Sequence, residues 1–321
     1  MLELSNRLSK ERLMEWENLK YGMFIHFGMS TFVQKEYASG KDLSTIYAPT
    51  ELDVDQWIKT AKQAGMKYAV LTAKHTSGHC LWPSKYTEYT IKTSSNDTDV
   101  VYEYMAACSK YGIEPGIYYC SWDNHHLFGS LTPNCENGTW ETAYVTEEYL
   151  QFQEAQMKEL LKEYKGIKEF WLDIPIFIPR SVRQRWYNEL TLINPDMIYV
   201  SNNGLSDGSI LSLNNTWTTD VITIEKHMPS STYDYQKIRE IEGGNYYLPG
   251  EVCETISKEW FYVDNDEVRS DGELLGIYLL SIKRGVNLLL DVPPDSRGII
   301  TNEQIGALMR LRKNYEHILN I

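Results

Sequence analysis

Residues 168–177 read KEFWLDIPIF, an aromatic and aliphatic run from Phe170 to Phe177 that is interrupted by Pro175 and carries one acid, Asp173, in its middle. β-branched and aromatic residues in so short a run favour a buried strand over a helix. A lone carboxylate in dry core is costly unless it is paired or has work to do. Asp173 therefore raises the expectation that this strand ends in a partly solvated cleft.

Outward from that stretch the same kind of run recurs at GMFIHFG (22–28), YAVLTAKH (68–75), EPGIYYCSW (114–122), MIYVSN (197–202), TWTTDVIT (216–223), YYLPGEV (246–252) and VNLLLDV (286–292). Amphipathic stretches lie between them. DVDQWIKTAKQAG has Asp53 as N-cap and Gly65 as stop, TDVVYEYMAACSKYG stops at Gly112, and TEEYLQFQEAQMKELLKEYKG, SVRQRWYNELTLI and the closing TNEQIGALMRLRKNYEHIL follow. Eight strands alternating with helices predict a (β/α)8 TIM-like barrel forming one domain over residues 1–321, with no room for a C-terminal β-sandwich. Several strands end in chemically able groups: His26, then Lys74 with His75, then Trp122, Asp123, His125 and His126, then Asp173. The C-terminal ends of barrel strands are where such enzymes carry their active sites.

Composition narrows the function. Against 44 Asp and Glu stand 31 scattered Lys and Arg, a net charge of −13, which argues against nucleic acid or an anionic membrane as partner. Five dispersed cysteines without a CxxC pair suggest neither a disulfide framework nor a structural zinc site. The charged N-terminus, MLELSNRLSKERLMEW, has no apolar core of a signal peptide, so the chain as it stands is expected in the cytoplasm, or in the periplasm or outside the cell if a leader was removed. The 23 Tyr and 9 Trp suit both a barrel core and the stacking faces of a sugar site.

The stretches YGMFIHFGMSTFVQKEYASGKD, AGMKYAVLTAKHTSGHCLWPSKYTEYTI, YGIEPGIYYCSWDNHH, EFWLDI, EWFYVDND and GVNLLLDVPPDSRGII occur in this order over roughly residues 15 to 310. Together they resemble the catalytic domain of the family 29 glycoside hydrolases, the retaining α-L-fucosidases, nearer the branch selective for branched 1,3- and 1,4-linked fucosides. The resemblance implies a fucosylated glycan as substrate, or a related sugar such as galactose, and no cofactor. It places Asp173 on the family nucleophile. His26, Glu36 and Tyr37, Lys74, His75 and Trp82, Trp122 and Asp123, Trp171 and Trp260 fall within the motifs that hold the sugar. The departures are Tyr37 for a Trp, Thr76 and Ser77 for a His and an Asp, Ile174 for a Gly, and Asn203 where that branch carries its acid/base Glu. Glu251, in LPGEVCET, aligns with another family acid and is the expected acid/base; Glu254, Glu225 and Asp220 are weaker candidates.

Two carboxyls about 5–5.5 Å apart are the requirement of a retaining mechanism, one as nucleophile and one as proton donor and then base. Two other readings stand beside it. Asn203 and Ile174 motivate a sugar-binding barrel with impaired catalysis. A metal-dependent hydrolase would need a ligand set that His26 alone on the first strand, the adjacent His125 and His126, and His75 and His79 astride Gly78 do not make, so no metal is expected.

Overall fold

The computed structural model describes residues 7–126, 146–175, 177–202, 210–229 and 236–320. Asn203, and with it the position of the branch's usual Glu, lies outside the described residues. The strands are β1 (Tyr21–Ile25), β2 (Tyr68–Lys74), β3 (Glu114–Cys120), β4 (Glu169–Asp173), β5 (Ile198–Asn202), β6 (Ile222–Glu225), β7 (Ile238–Ile241), β8 (Gly244–Tyr247), β9 (Gly250–Thr255) and β10 (Asn287–Asp291). The helices are α1 (Lys10–Glu17), α2 (Met29–Val33), α3 (Val54–Gln63), α4 (Val100–Tyr111), α5 (Glu147–Glu163), α6 (Arg180–Ile193), α7 (Ile210–Thr216), α8 (Asp271–Arg284) and α9 (Asn302–Leu319).

Eight strands form one parallel sheet in the order β5-β4-β3-β2-β1-β10-β9-β6, while β7 and β8 make a separate antiparallel hairpin. Among the described residues one parallel bridge, Val200 opposite Val221, links the β5 edge to the start of β6, so the sheet curls into a nearly closed barrel. This is the expected (β/α)8 architecture.

Alternation along each strand divides the core in two. Phe24, Val70, Tyr118, Trp171, Val200, Cys253 and Leu289 point inward and pack together inside the barrel. Their neighbours Met23, Leu71, Ile117, Leu172, Val252 and Leu290 point outward and join the layer between sheet and helices. The helices start where their caps say: Asp53, Asp99, Thr146 and Thr301 each accept a backbone N–H of the first turn, and α4 stops at Gly112 with φ +63.

Two strands lie a few residues later than the sequence suggested. The sixth runs over Ile222–Glu225 and not 216–223, and the seventh barrel strand over Gly250–Thr255 and not 246–252. Tyr246 and Tyr247 belong instead to the hairpin. At about 3.3 Å per residue this shift exchanges strand beginnings for strand ends. It carries Glu225 to the C-terminal end of its strand and Glu251 to the N-terminal part of its own. Helix α8, with a capping box at Ser270 and Glu273, was not anticipated.

Candidate active site

Asp173 is the last residue of β4 and is buried, with both oxygens bonded. The Tyr118 hydroxyl donates to Oδ2 at 2.6 Å, and the Asn202 amide donates to Oδ1 at 2.8 Å. Burial pushes the Asp173 carboxyl up to about 6, although Tyr118, Asn202 and the Ile174 backbone pull it down. The strand end is pinned from outside the site, since Ser121 donates twice, through N and Oγ, to the Asp173 carbonyl.

The same Asn202 nitrogen donates to Glu225 Oε2 at 3.0 Å. Glu225 ends β6, faces the cleft partly exposed, and is pushed up to about 7 by burial and then by the charge of Asp173. Two bonds of these lengths, leaving one amide nitrogen at the roughly 120° between its N–H directions, hold the two carboxyl oxygens about 5 Å apart, the spacing of retaining glycosidases.

Around this pair the sugar-sized wall is aromatic and imidazole. The His26 ring lies 5.2 Å from Trp260 and 5.1 Å from Phe261, and His75 lies 4.9 Å from Phe261 and 5.8 Å from Tyr118. His26 Nδ1 is 2.7 Å from Asp291 Oδ1; burial drives the imidazole down to about 3 and the Asp291 carboxyl up, so this pair carries no net charge. Burial, with His26 and Lys74 nearby, likewise keeps His75 neutral. Glu36 is raised by burial, bonded to Tyr37, and feels the charge of Asp173. Trp122 packs on Phe177 at 5.6 Å within the buried cluster that includes Ile174. Ile174 itself has φ +54, the left-handed region that a β-branched residue rarely enters. The glycine implied by the resemblance would suit that backbone.

Thus His26, Glu36, Tyr37, His75, Trp122, Asp173 and Trp260 gather at one end of the barrel. The other five expected site residues lie elsewhere. Glu251 sits near the start of β9, fully buried, with Tyr68 donating to one oxygen at 2.7 Å and Trp171 to the other at 2.9 Å. Tyr68 opens β2, so these contacts belong to the N-terminal half of the barrel and not to the mouth. Trp171 is sealed in the interior by that bond and by Phe24 and Tyr118, out of reach of a ligand. Trp82 is buried on the outer side, donating to Glu159 of α5 at 2.8 Å.

Lys74 and Asp123 satisfy each other at 2.8 Å, with both side chains wholly buried. The ammonium also lies 4.4 Å over Tyr119, whose ring is in the outer layer. Burial alone would raise Asp123, but Lys74 and His126 outweigh it and hold the carboxyl well below its ordinary value. Asp123 further accepts from the backbone N–H groups of His125 and His126. Gly78, at φ +81, comes so close that a Cβ there would meet Asp123 Oδ1 at 2.3 Å. Lys74 and Asp123 thus brace each other away from the Asp173 end of the barrel interior. Of the weaker acid candidates, Glu254 is bound by Arg269 at 2.9 Å and Asp220 by Arg7 and Tyr187, which leaves Glu225 alone facing Asp173.

The histidines of the metal reading are committed elsewhere: His79 to Ser94, His125 to the Gly40 carbonyl, His126 to Asp123 and Thr87. Among the described residues no group of three or more His, Cys, Asp or Glu is arranged to hold a metal ion. Sequence reasoning passed over Tyr118, Asn202 and Asp291. The last two end their strands as Asp173 does, a signal that was available.

Comparison with known proteins bears on the fold and the family. The chain is 31% identical over 322 residues to Alpha-L-fucosidase 1 of Arabidopsis thaliana, an alignment covering 94% of this chain and 59% of that protein, so it spans little more than half of the relative's length. The crystal structure titled "putative alpha-L-fucosidase" from Bacteroides thetaiotaomicron superposes with a TM-score of 0.78 at 30% identity, covering 98% of this chain and 69% of that one. The sequence model of the Alpha-L-fucosidase family matches residues 3–313, and the chain belongs to that family.

Proposed function

We propose that the protein is a retaining α-L-fucosidase in which Asp173 is the nucleophile and Glu225 the acid/base. The observation that carries this is that one Asn202 amide nitrogen donates to both carboxyls, which ideal amide geometry translates into a spacing of about 5 Å. Burial raises both carboxyls, and the charge of Asp173 raises Glu225 further, which favours an ionised Asp173 beside a protonated Glu225, the states the first step needs.

In that step an Asp173 oxygen bonds to the anomeric carbon as the glycosidic C–O bond breaks, and the Glu225 proton goes to the departing oxygen. In the second, water attacks the same carbon, its proton goes to Glu225, and the ester bond to Asp173 breaks with configuration retained. Both Asp173 oxygens hold a donor in the free enzyme, so the one not bonded to sugar enters the ester as a carbonyl already hydrogen-bonded.

Trp260, beside neutral His26 and His75 and backed by buried Phe261, presents an apolar face suited to a 6-deoxy sugar, which favours fucose over galactose. On linkage, the likeness of the HFG, KH and EFWLD motifs to the branch selective for such glycans supports a branched 1,3- or 1,4-linked fucoside. Faster turnover of 1,2-linked fucosides than of branched ones would overturn that part. The whole reading is tested by following an aryl α-L-fucoside by proton NMR. Release of α-L-fucose as the first-formed anomer, lost in Asp173→Asn, is expected; β-L-fucose as first product, or undiminished turnover in the variant, would overturn it.

A further inference from the structure

We propose that Asn202, clamped by Thr223, is a positioning residue that sets the separation and balances the charges of the two reacting carboxyls. The inference rests on the assignment of Asp173 and Glu225 above. Asn202 is the last residue of β5 and is buried, and its side chain makes three bonds. Its nitrogen donates to Asp173 and to Glu225, and its oxygen accepts the Thr223 hydroxyl at 2.7 Å.

The orientation of the amide follows from chemistry. The ionised Asp173 carboxylate can only accept, so the NH2 must face it, and the carbonyl is left for the Thr223 hydroxyl donor. Thr223 lies on β6 two residues before Glu225, so one strand both supplies the acid and aims the amide that holds it. The backbone ties the other side, because the Asn202 carbonyl accepts from the N–H of Ile174, directly after Asp173. One side chain thereby joins the ends of β4, β5 and β6, on the side of the barrel where strand pairing between β5 and β6 is reduced to a single bridge. Side-chain bonds replace the missing ladder where the carboxyl spacing must be held.

The two N–H groups also make the carboxyls share one source of stabilisation. Each N–H favours the ionised form of its partner, and Glu225 in turn feels the charge of Asp173. Esterification removes that charge, and Glu225 then gives up its proton more readily, as its change from acid to base requires. A rigid amide keeps Glu225 in place through this change.

Three variants test the proposal through kcat, KM and the pH dependence of kcat/KM on an aryl α-L-fucoside, with circular dichroism as the check on folding. Asn202→Ala is expected to lower kcat on the order of ten- to a hundredfold, as loss of hydrogen bonds to charged groups does. KM should change little, and both limbs of the pH profile should move to higher pH. Thr223→Val keeps the amide and frees its orientation, so it should show the same changes in smaller measure; it carries the test should Asn202→Ala not fold. Asn202→Asp keeps shape but sets a third carboxyl between two others, and should be the most damaging of the three.

A space-filling role predicts the opposite order, with isosteric Asn202→Asp the mildest and the limbs unmoved, and that result would overturn the inference. Azide rescue of Glu225→Ala separates the two levels. Rescue together with unmoved limbs removes the role of Asn202 alone, whereas absence of rescue removes the acid/base assignment and this inference with it.

Discussion

Replacing Glu225 by Ala removes the one carboxyl that shares a hydrogen-bond donor with Asp173, and its consequences depend on the leaving group. General acid assistance is worth about 10²–10⁴ in rate, or about 3–5 kcal/mol of barrier, when the departing group is a sugar alkoxide. A dinitrophenolate leaves almost unaided. Fucosylation of the variant should therefore be nearly normal with a dinitrophenyl fucoside and slowed by two to four orders of magnitude, roughly, with a fucosylated oligosaccharide. Loss of the base should slow hydrolysis of the ester for both substrates. Stopped-flow assays should show a burst of dinitrophenolate followed by slow turnover, and azide, which needs no base, should restore the rate and yield fucosyl azide of retained configuration. Equal damage to both substrates with no burst and no azide effect would refute the reasoning. Attention would then pass to Glu36, the other carboxyl that feels the charge of Asp173.

Three further outcomes follow from the same geometry. The kcat/KM profile should be bell-shaped, rising through an apparent pKa near 6 as Asp173 ionises and falling through one near 7 as Glu225 loses its proton; a rate still climbing at pH 8 would contradict the assignment. Glu251→Ala should leave the leaving-group dependence unchanged but destabilise the fold by about 1–3 kcal/mol for each of the buried Tyr68 and Trp171 donors it strands, seen as a lower urea midpoint. Asp123→Asn should cost about 3–5 kcal/mol of stability with KM unaltered, because it leaves the Lys74 ammonium buried and alone. Since the Asp123 carboxyl is held below its unfolded value, the wild type's advantage over this variant should be constant above about pH 5 and shrink only as acid approaches the unfolded value near 4.

Much of the architecture was legible because strand and helix signals are strong: an N-cap at Asp53, a C-terminal glycine at Gly112, and apolar runs ending in polar groups. The choice between Glu251 and Glu225 turns on two strands. TWTTDVIT and YYLPGEV look like strands, but the chain spends Tyr246 and Tyr247 on a hairpin that no local signal distinguishes from the barrel. With β9 begun four residues later and β6 six, Glu251 moves from rim to interior and Glu225 from loop to rim. The sugar contacts divide on a similar ground. His26 and Trp260 end inside the barrel mouth, whereas Lys74 sits beyond an irregularity in the register between Thr72 and Lys74 and turns to the helix side, where Asp123 meets it. A bulge of one residue reverses the face of every side chain beyond it, and sequence pattern alone does not reveal where it falls. Trp82 and Trp171 show the remaining limit: a buried indole bonded to a carboxylate reads the same in sequence as one that stacks on a sugar.

The central claim, a covalent fucosyl ester on Asp173, is tested most directly by incubating the protein with 2-fluoro-fucosyl fluoride and mapping the product by mass spectrometry. The fluorine slows both steps, and the good leaving group lets the first outrun the second. One fucosyl adduct per chain, on the peptide carrying Asp173 and absent in Asp173→Asn, is the predicted result; an adduct on another carboxyl, or an unlabelled protein that still hydrolyses the fluoride, would contradict it.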